Sequence, residues 1–95
     1  MARRIEFGKF LIIECTAKEL REVTGQPIVM CDFCADVALA HNYKGFYIAV
    51  LNQWICKKCY EDWKKRAHWY EEDSAIENKN FEFYAKLFGL IAWVK

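Results

Sequence analysis

Proline occurs once and glycine four times in these 95 residues, so a flexible linker or a disordered tail of the usual composition is excluded. Histidine is nearly absent. His41 and His68 are the two present, and neither has an acid or nucleophile at a telling spacing. There is no glycine-rich phosphate loop and no serine-hydrolase signature, so the expectation is a protein that is not an enzyme. No charge of one sign dominates: fourteen basic and thirteen acidic residues leave a net +1. A whole-molecule field that would draw the chain to nucleic acid or an anionic membrane is missing, and any such role must rest on a local patch. No apolar run has the length of a membrane-spanning helix. Arg3 and Arg4 precede apolar residues, but Glu6, Gly8, Lys9 and Glu14 interrupt them, and no small-residue cleavage site follows as a secretory signal requires. The expected location is cytoplasmic, where thiols stay reduced and paired cysteines serve metals more often than disulfides.

Apolar and aromatic residues are plentiful, with seven Phe, five Tyr and four Trp. Such a chain folds, but a domain of this size buries only about two-thirds of the surface its unfolded chain exposes, so a metal staple would help it. It also carries more apolar surface than a small core hides, which points to a homodimer or a standing protein partner.

Residues 4–13 are rich in β-formers. Gly8-Lys9 reads equally as a two-residue turn with Gly first, giving a hairpin, and as the bend of a single strand. Thr16 followed by Glu19 reads as a capping box, Leu20 and Val23 as a short apolar stripe, and Gly25 as a helix stop. Pro27 then starts an extended segment leading to Cys31. Val37–Tyr43 reads as a strand, Lys44-Gly45 as a turn, Phe46–Leu51 as a strand, and Asn52-Gln53 as a turn before Trp54-Ile55. From Cys59 to Asp73 the period becomes helical, with Tyr60, Trp63, Ala67 and Tyr70 on one face. Ser74 with Glu77 reads as a second capping box and Asn78–Asn80 as a break. Phe81 onward is a helix apolar nearly all round, whose last residues, Leu90–Val94, alternatively close as a strand.

The chemistry lies in the cysteines. Cys31-Asp-Phe-Cys34 is followed, after twenty-one residues, by Cys56-Lys-Lys-Cys59. Two residues between cysteines let both sulfurs of a pair grip one ion, and two such pairs supply the four-thiolate set of a structural zinc site. Iron also accepts four sulfurs, and spacing does not separate the two metals. His41 is a possible substitute ligand, far less favoured than the four cysteines. With every position taken by protein sulfur, no site remains for water or substrate, so the metal's role is folding. Cys15, the odd one, reads as a buried thiol.

The segment from Cys31 to about Lys65 resembles a treble-clef zinc finger: Cys31–Cys34 matches the knuckle, the run ending Trp54-Ile55 the hairpin, and Cys56–Trp63 the start of the helix. Within that class it looks like the zinc-binding domain of Clp unfoldase ATPases and, more loosely, GATA-type fingers. The resemblance covers about a third of the chain and implies a fold more than a function.

The expected architecture is therefore α+β, one zinc-stapled domain over 1–95. An N-terminal strand and short helix (1–30) precede a zinc module (31–73) with a treble-clef-like core, and an apolar helical segment (74–95) follows. The function expected is a non-catalytic protein-interaction module: an adaptor, regulator or inhibitor of a larger machine. Its partner surface is placed on the last segment, at Phe81, Tyr84, Phe88, Ile91 and Trp93. The alternative is a nucleic-acid-binding finger that uses Lys57, Lys58, Lys64, Lys65 and Arg66, with Tyr60, Trp63 and Trp69 as stacking partners. Glu61, Asp62 and the acidic run Glu71–Asp73 dilute that patch.

Overall fold

The computed structural model describes residues 2–25, 29–34 and 44–90. They form an α+β fold: strands β1 (Arg3–Phe7) and β2 (Phe10–Thr16), helix α1 (Ala17–Thr24), strands β3 (Lys44–Ile48) and β4 (Gln53–Cys56), helix α2 (Lys57–Lys64), a 3-10 turn at Glu71–Asp73, and helix α3 (Ser74–Leu87). The four strands make one antiparallel sheet in sequence order.

The N-terminal segment is a hairpin, not a bent strand. Phe7 pairs with Phe10, and Gly8 adopts φ 58°, which the two-residue turn requires at its first position. The apolar run Phe10–Ile13 does not alternate in polarity because the sheet is covered on both faces. Ile13, Cys15, Tyr47 and Trp54 face α1 and α3 and pack with Leu20, Phe81 and Ala85. Phe10, Ile12, Phe46, Ile48 and Ile55 face the other way, onto Tyr60 and Trp63 of α2 and onto Cys31 and Cys56. There Phe46 stacks on Tyr60 at 3.9 Å, and Trp63 meets Phe10 edge-on at 4.8 Å.

Helix α1 starts at the expected capping box. The Glu19 N–H donates to Thr16 Oγ1 at 3.2 Å, and Thr16 N–H donates to the Glu19 carboxylate at 2.8 Å. Gly25, at φ 74°, closes the helix by donating to the Arg21 carbonyl.

Several elements differ from the sequence reading. Lys44-Gly45 is not a turn but the start of β3, where Gly45 lies between Cys15 and Cys56. A Cβ there would drive into the Trp54 indole and lie 2.7 Å from the Ile55 carbonyl oxygen. The glycine is a close-approach position. Gly45→Ala is expected to cost about 1–3 kcal/mol by overpacking, read as a melting point lowered by roughly 4–8 °C per kcal/mol. A variant melting with the parent would show that the indole moves aside freely.

The strand expected to run to Leu51 ends at Ile48, because the chain turns at 49–52 and Asn52, at φ 54°, is held by the Tyr47 hydroxyl at 2.7 Å. The strand expected at 37–43, and His41 with it, lies outside the described residues. Helix α2 ends at Lys64, not Asp73. Tighter bonds, Lys65 N–H to the Asp62 carbonyl and Arg66 N–H to that of Trp63, terminate it, and Trp69 thereby turns toward α3.

Helix α3 runs unbroken through Asn78–Asn80, and the Ser74–Glu77 box does not form. Glu77 turns inward instead and is 2% exposed. Its two oxygens accept from the Leu11 backbone N–H and from the Trp69 indole N–H, each at 3.0 Å. One turn on, the Asn80 amide donates to the Ala49 carbonyl at 2.9 Å. Where β3 leaves the sheet, peptide groups of β2 and the turn lose their ladder partners, and two polar side chains of α3 replace them. The helix ends in a Schellman arrangement at Gly89 (φ 74°), with Leu90 N–H donating to the Ala85 carbonyl at 2.8 Å. Nor is α3 apolar and buried all round: Ile76 and Phe83 are 54% and 56% exposed. No helix among the described residues is long and apolar enough to cross a membrane.

Candidate metal centre

Two distant stretches deliver the four sulfurs. After the buried Val29, the chain turns tightly over Asp32–Cys34, and this knuckle is pinned to β4. Asp32 N–H donates to the Trp54 carbonyl at 3.0 Å, and Trp54 N–H returns a bond to Asp32 Oδ2 at 2.9 Å. Strand β4 ends at Cys56, and the first turn of α2 presents Cys59. Cys56 occupies the N-cap position yet makes no side-chain cap bond, which leaves its sulfur available to the cluster.

All four ligand atoms lie within 4.8 Å of one another. The Cys34 and Cys56 sulfurs are 3.8 Å apart, against an edge of about 3.8 Å for a sulfur tetrahedron with zinc–sulfur bonds near 2.3 Å. The arrangement fits a single tetrahedral ion. Cys31 and Cys56 are buried, Cys59 half-buried and Cys34 exposed, so one side of the site is packed and the other faces solvent.

Backbone N–H groups favour a thiolate at Cys31. Burial alone would raise the Cys31 thiol, but the backbone N–H groups of Cys34, Cys56 and Phe33 all point at its sulfur from 3.4–3.5 Å and bring it down to about 7. Cys59 moves the other way, raised by burial and by its three neighbouring sulfurs: once one sulfur is ionised, the next resists unless a cation joins them. The first turn of α2 contains no acidic residue, and Lys57 and Lys58 stand there exposed. Helix N-termini stabilise negative charge, and two lysines offset that of a tetrathiolate.

Cys15 is apart from the cluster. Burial, then Glu19, push its thiol up to about 12. It is expected to resist alkylation in the folded protein and to react only on unfolding, which mass spectrometry after a brief maleimide pulse would read.

Tyr60 and Trp63 are buried against the sheet, and the half-buried Trp69 donates to Glu77, so the aromatics interleaved with the basic stretch are committed to the fold. Lys64 pairs with Glu61 at 3.2 Å and covers the Tyr60 ring; Arg66 pairs with Asp62 at 3.9 Å and lies over Phe33. Lys57, Lys58 and Lys65 are exposed and have no ion pair among the described residues. Of the residues expected to meet a partner, Phe81 is buried in the α3 face of the core, Tyr84 packs on Tyr47 at 4.1 Å, and Phe88 packs against the same cluster. Phe81 is interior and the other two are half-buried, because the sheet covers that side of α3. Ile91 and Trp93 lie outside the described residues.

One surface has no counterpart in the sequence reading. A cavity of about 490 Å³ opens beside the sulfurs, between the knuckle and α2, lined by Phe33, Lys58, Lys65 and Arg66 together with Glu61, Asp62 and the outer cysteines. Phe33, between two cysteines, carries no signal beyond its being an aromatic residue in a tight turn. Comparison of the chain with known protein families, curated proteins and solved structures finds no match.

Proposed function

We propose that this chain is a non-catalytic, zinc-stapled protein-interaction module that docks through the cleft between the knuckle and α2. The cluster of four sulfurs at tetrahedral spacing supports the metal; four protein ligands leave no open position for substrate or water, so the ion serves the fold. The order of knuckle, β3–β4 hairpin and helix supports the treble-clef reading. The mixed lining of the cleft carries the choice of partner. Phe33 stands partly exposed among Lys58, Lys65 and Arg66 together with Glu61 and Asp62. A polyanion laid there meets two carboxylates, whereas a protein surface supplies charges of both signs and an apolar contact.

The nucleic-acid reading retains three exposed lysines but has lost its stacking platform, since Tyr60 and Trp63 are interior. A salt titration separates the two. Nucleic-acid binding carried by four or five phosphate contacts should weaken about tenfold or more for a fourfold rise in salt; the expected result is no retention of either DNA or RNA at low salt. A photo-crosslinker at Phe33 is expected to trap a discrete protein where one at Phe83 does not. Salt-sensitive nucleic-acid binding abolished by Lys58→Glu with Lys65→Glu would replace this reading. Native mass spectrometry, with and without chelator, distinguishes zinc from iron and monomer from homodimer.

A further inference from the structure

A second cavity, of about 250 Å³, lies on the opposite face of the sheet, walled by α1, the knuckle, the turn after β3 and α3. It is smaller than the 300–1,000 Å³ typical of drug-sized ligands, and its volume suits a single side chain or a small amine. We propose that it binds the ammonium end of an alkylamine, with the Asp32 carboxylate as the counter-charge.

Among the described residues, Asp32 is the one charged group in the lining, and no lysine, arginine or histidine contributes to it. The carboxylate is held in place by accepting from Trp54 N–H at 2.9 Å. Tyr47 donates its hydroxyl proton to Asn52 Oδ1 at 2.7 Å, so its oxygen offers lone pairs to anything beside it. Tyr47 and Tyr84, 4.1 Å apart and inclined at 38°, supply aromatic wall, and Leu20, Val29 and Met30 supply apolar wall. An anion is repelled by such a lining, and a neutral apolar ligand strips water from a carboxylate without replacing its hydrogen bonds. An ammonium group satisfies the carboxylate and the phenol oxygen, and its methylenes lie against rings and aliphatic side chains.

The site is also tied to the metal. Asp32 lies between Cys31 and Cys34, in a turn whose N–H groups bond to the Cys31 sulfur. On the zinc reading given above, removing the ion releases that turn and takes the carboxylate with it.

The test is a titration of the metal-loaded full chain followed by NMR at the Trp54 backbone amide and the Asn52 side-chain amide. The probes are n-butylammonium, Nα-acetyl-lysine amide, n-butanol and butyrate. Both ammonium probes are expected to shift these signals saturably, butanol and butyrate not. Tighter binding of the lysine amide would assign a protein lysine as the source, and equal or weaker binding a free amine. Asp32→Asn, which keeps an oxygen for Trp54, should weaken binding tenfold or more. Asn52→Asp, which adds a carboxylate where Tyr47 still has an acceptor, should tighten it severalfold. Butanol binding as well as butylammonium, or an unchanged affinity in Asn52→Asp, overturns the proposal. Metal content is measured on the same samples, so a chain that holds no ion yet binds ammonium would refute the metal reading alone.

Discussion

Stripping the metal with a strong chelator is expected to unfold the protein. Structural zinc contributes on the order of 10 kcal/mol of folding free energy in isolated fingers, and domains have only about 5–15 kcal/mol in total. Few chains of this size would survive the loss. The packing around Trp63 should loosen first, because Cys31 and Cys56 are buried in the same cluster as Phe10, Phe46, Tyr60 and Trp63. Near-ultraviolet dichroism and tryptophan fluorescence would report it. The single substitutions should be graded by burial: Cys31→Ser and Cys56→Ser severe, Cys34→Ser, at the exposed position, milder. The pH dependence has a definite sign. The ligands bind metal as thiolates, so loading releases protons, and a falling pH favours the metal-free, protonated chain. Melting point and bound metal should therefore decline together on acidification. A chelated protein that melts like the loaded one would leave the cysteine cluster without a structural role.

The second large effect is expected at Glu77. Glu77→Ala removes the acceptor of both the Leu11 amide and the Trp69 indole. An orphaned buried donor costs about 1–3 kcal/mol, so the pair should cost roughly 2–6 kcal/mol, a fall in melting point of the order of 10 °C or more at about 4–8 °C per kcal/mol. Glu77→Gln should lie between, since its one carbonyl oxygen serves only one of the donors. Ser74→Ala is the control. Were Glu77 the far end of a capping box, losing the Ser74 hydroxyl would cost about 0.5–2 kcal/mol; because α3 has no side-chain cap bond, that variant should melt with the parent. Equal losses in Ser74→Ala and Glu77→Ala would restore the local reading.

The cysteines and Glu77 also mark the two sides of what a sequence makes legible. The Thr16–Glu19 box and the paired cysteines are written over a few positions each, and a rule of local spacing finds them; the Gly8-Lys9 turn is equally local but leaves a bent strand open. Glu77 bonds to a residue sixty-six positions away, and Asn80 to one thirty-one away. A window around Asn78–Asn80 sees two asparagines, which are poor helix formers, and reads a break. Gly45 fails for the same reason, since the indole that forbids a side chain there arrives from the neighbouring strand. Helix α2 is shorter than its periodicity implies, because a period records which residues share a face and not where the tight bonds at Lys65 and Arg66 end the helix. The cleft beside the cysteine cluster has no sequence signature because its walls come from segments on either side of the hairpin.

The first half of strand β2, apolar toward both layers, has a consequence for how the sheet finds its alignment. In a half-exposed strand, a one-residue slip turns oily side chains to water and is rejected on energy alone. Over residues 10–13, Leu11 and Ile13 would simply trade places with Phe10 and Ile12, and only Glu14, which would leave Arg3 and Lys44 for the face of Ile13 and Cys15, would object. Directional features hold the alignment as well: the left-handed Gly8 at one end of the hairpin, the Glu14 carboxylate paired with Arg3 and Lys44 on the neighbouring strands, and the Glu77 carboxylate that accepts from the Leu11 amide. The buried acid is thus an index pin as well as a brace, and its loss should yield misaligned as well as less stable molecules.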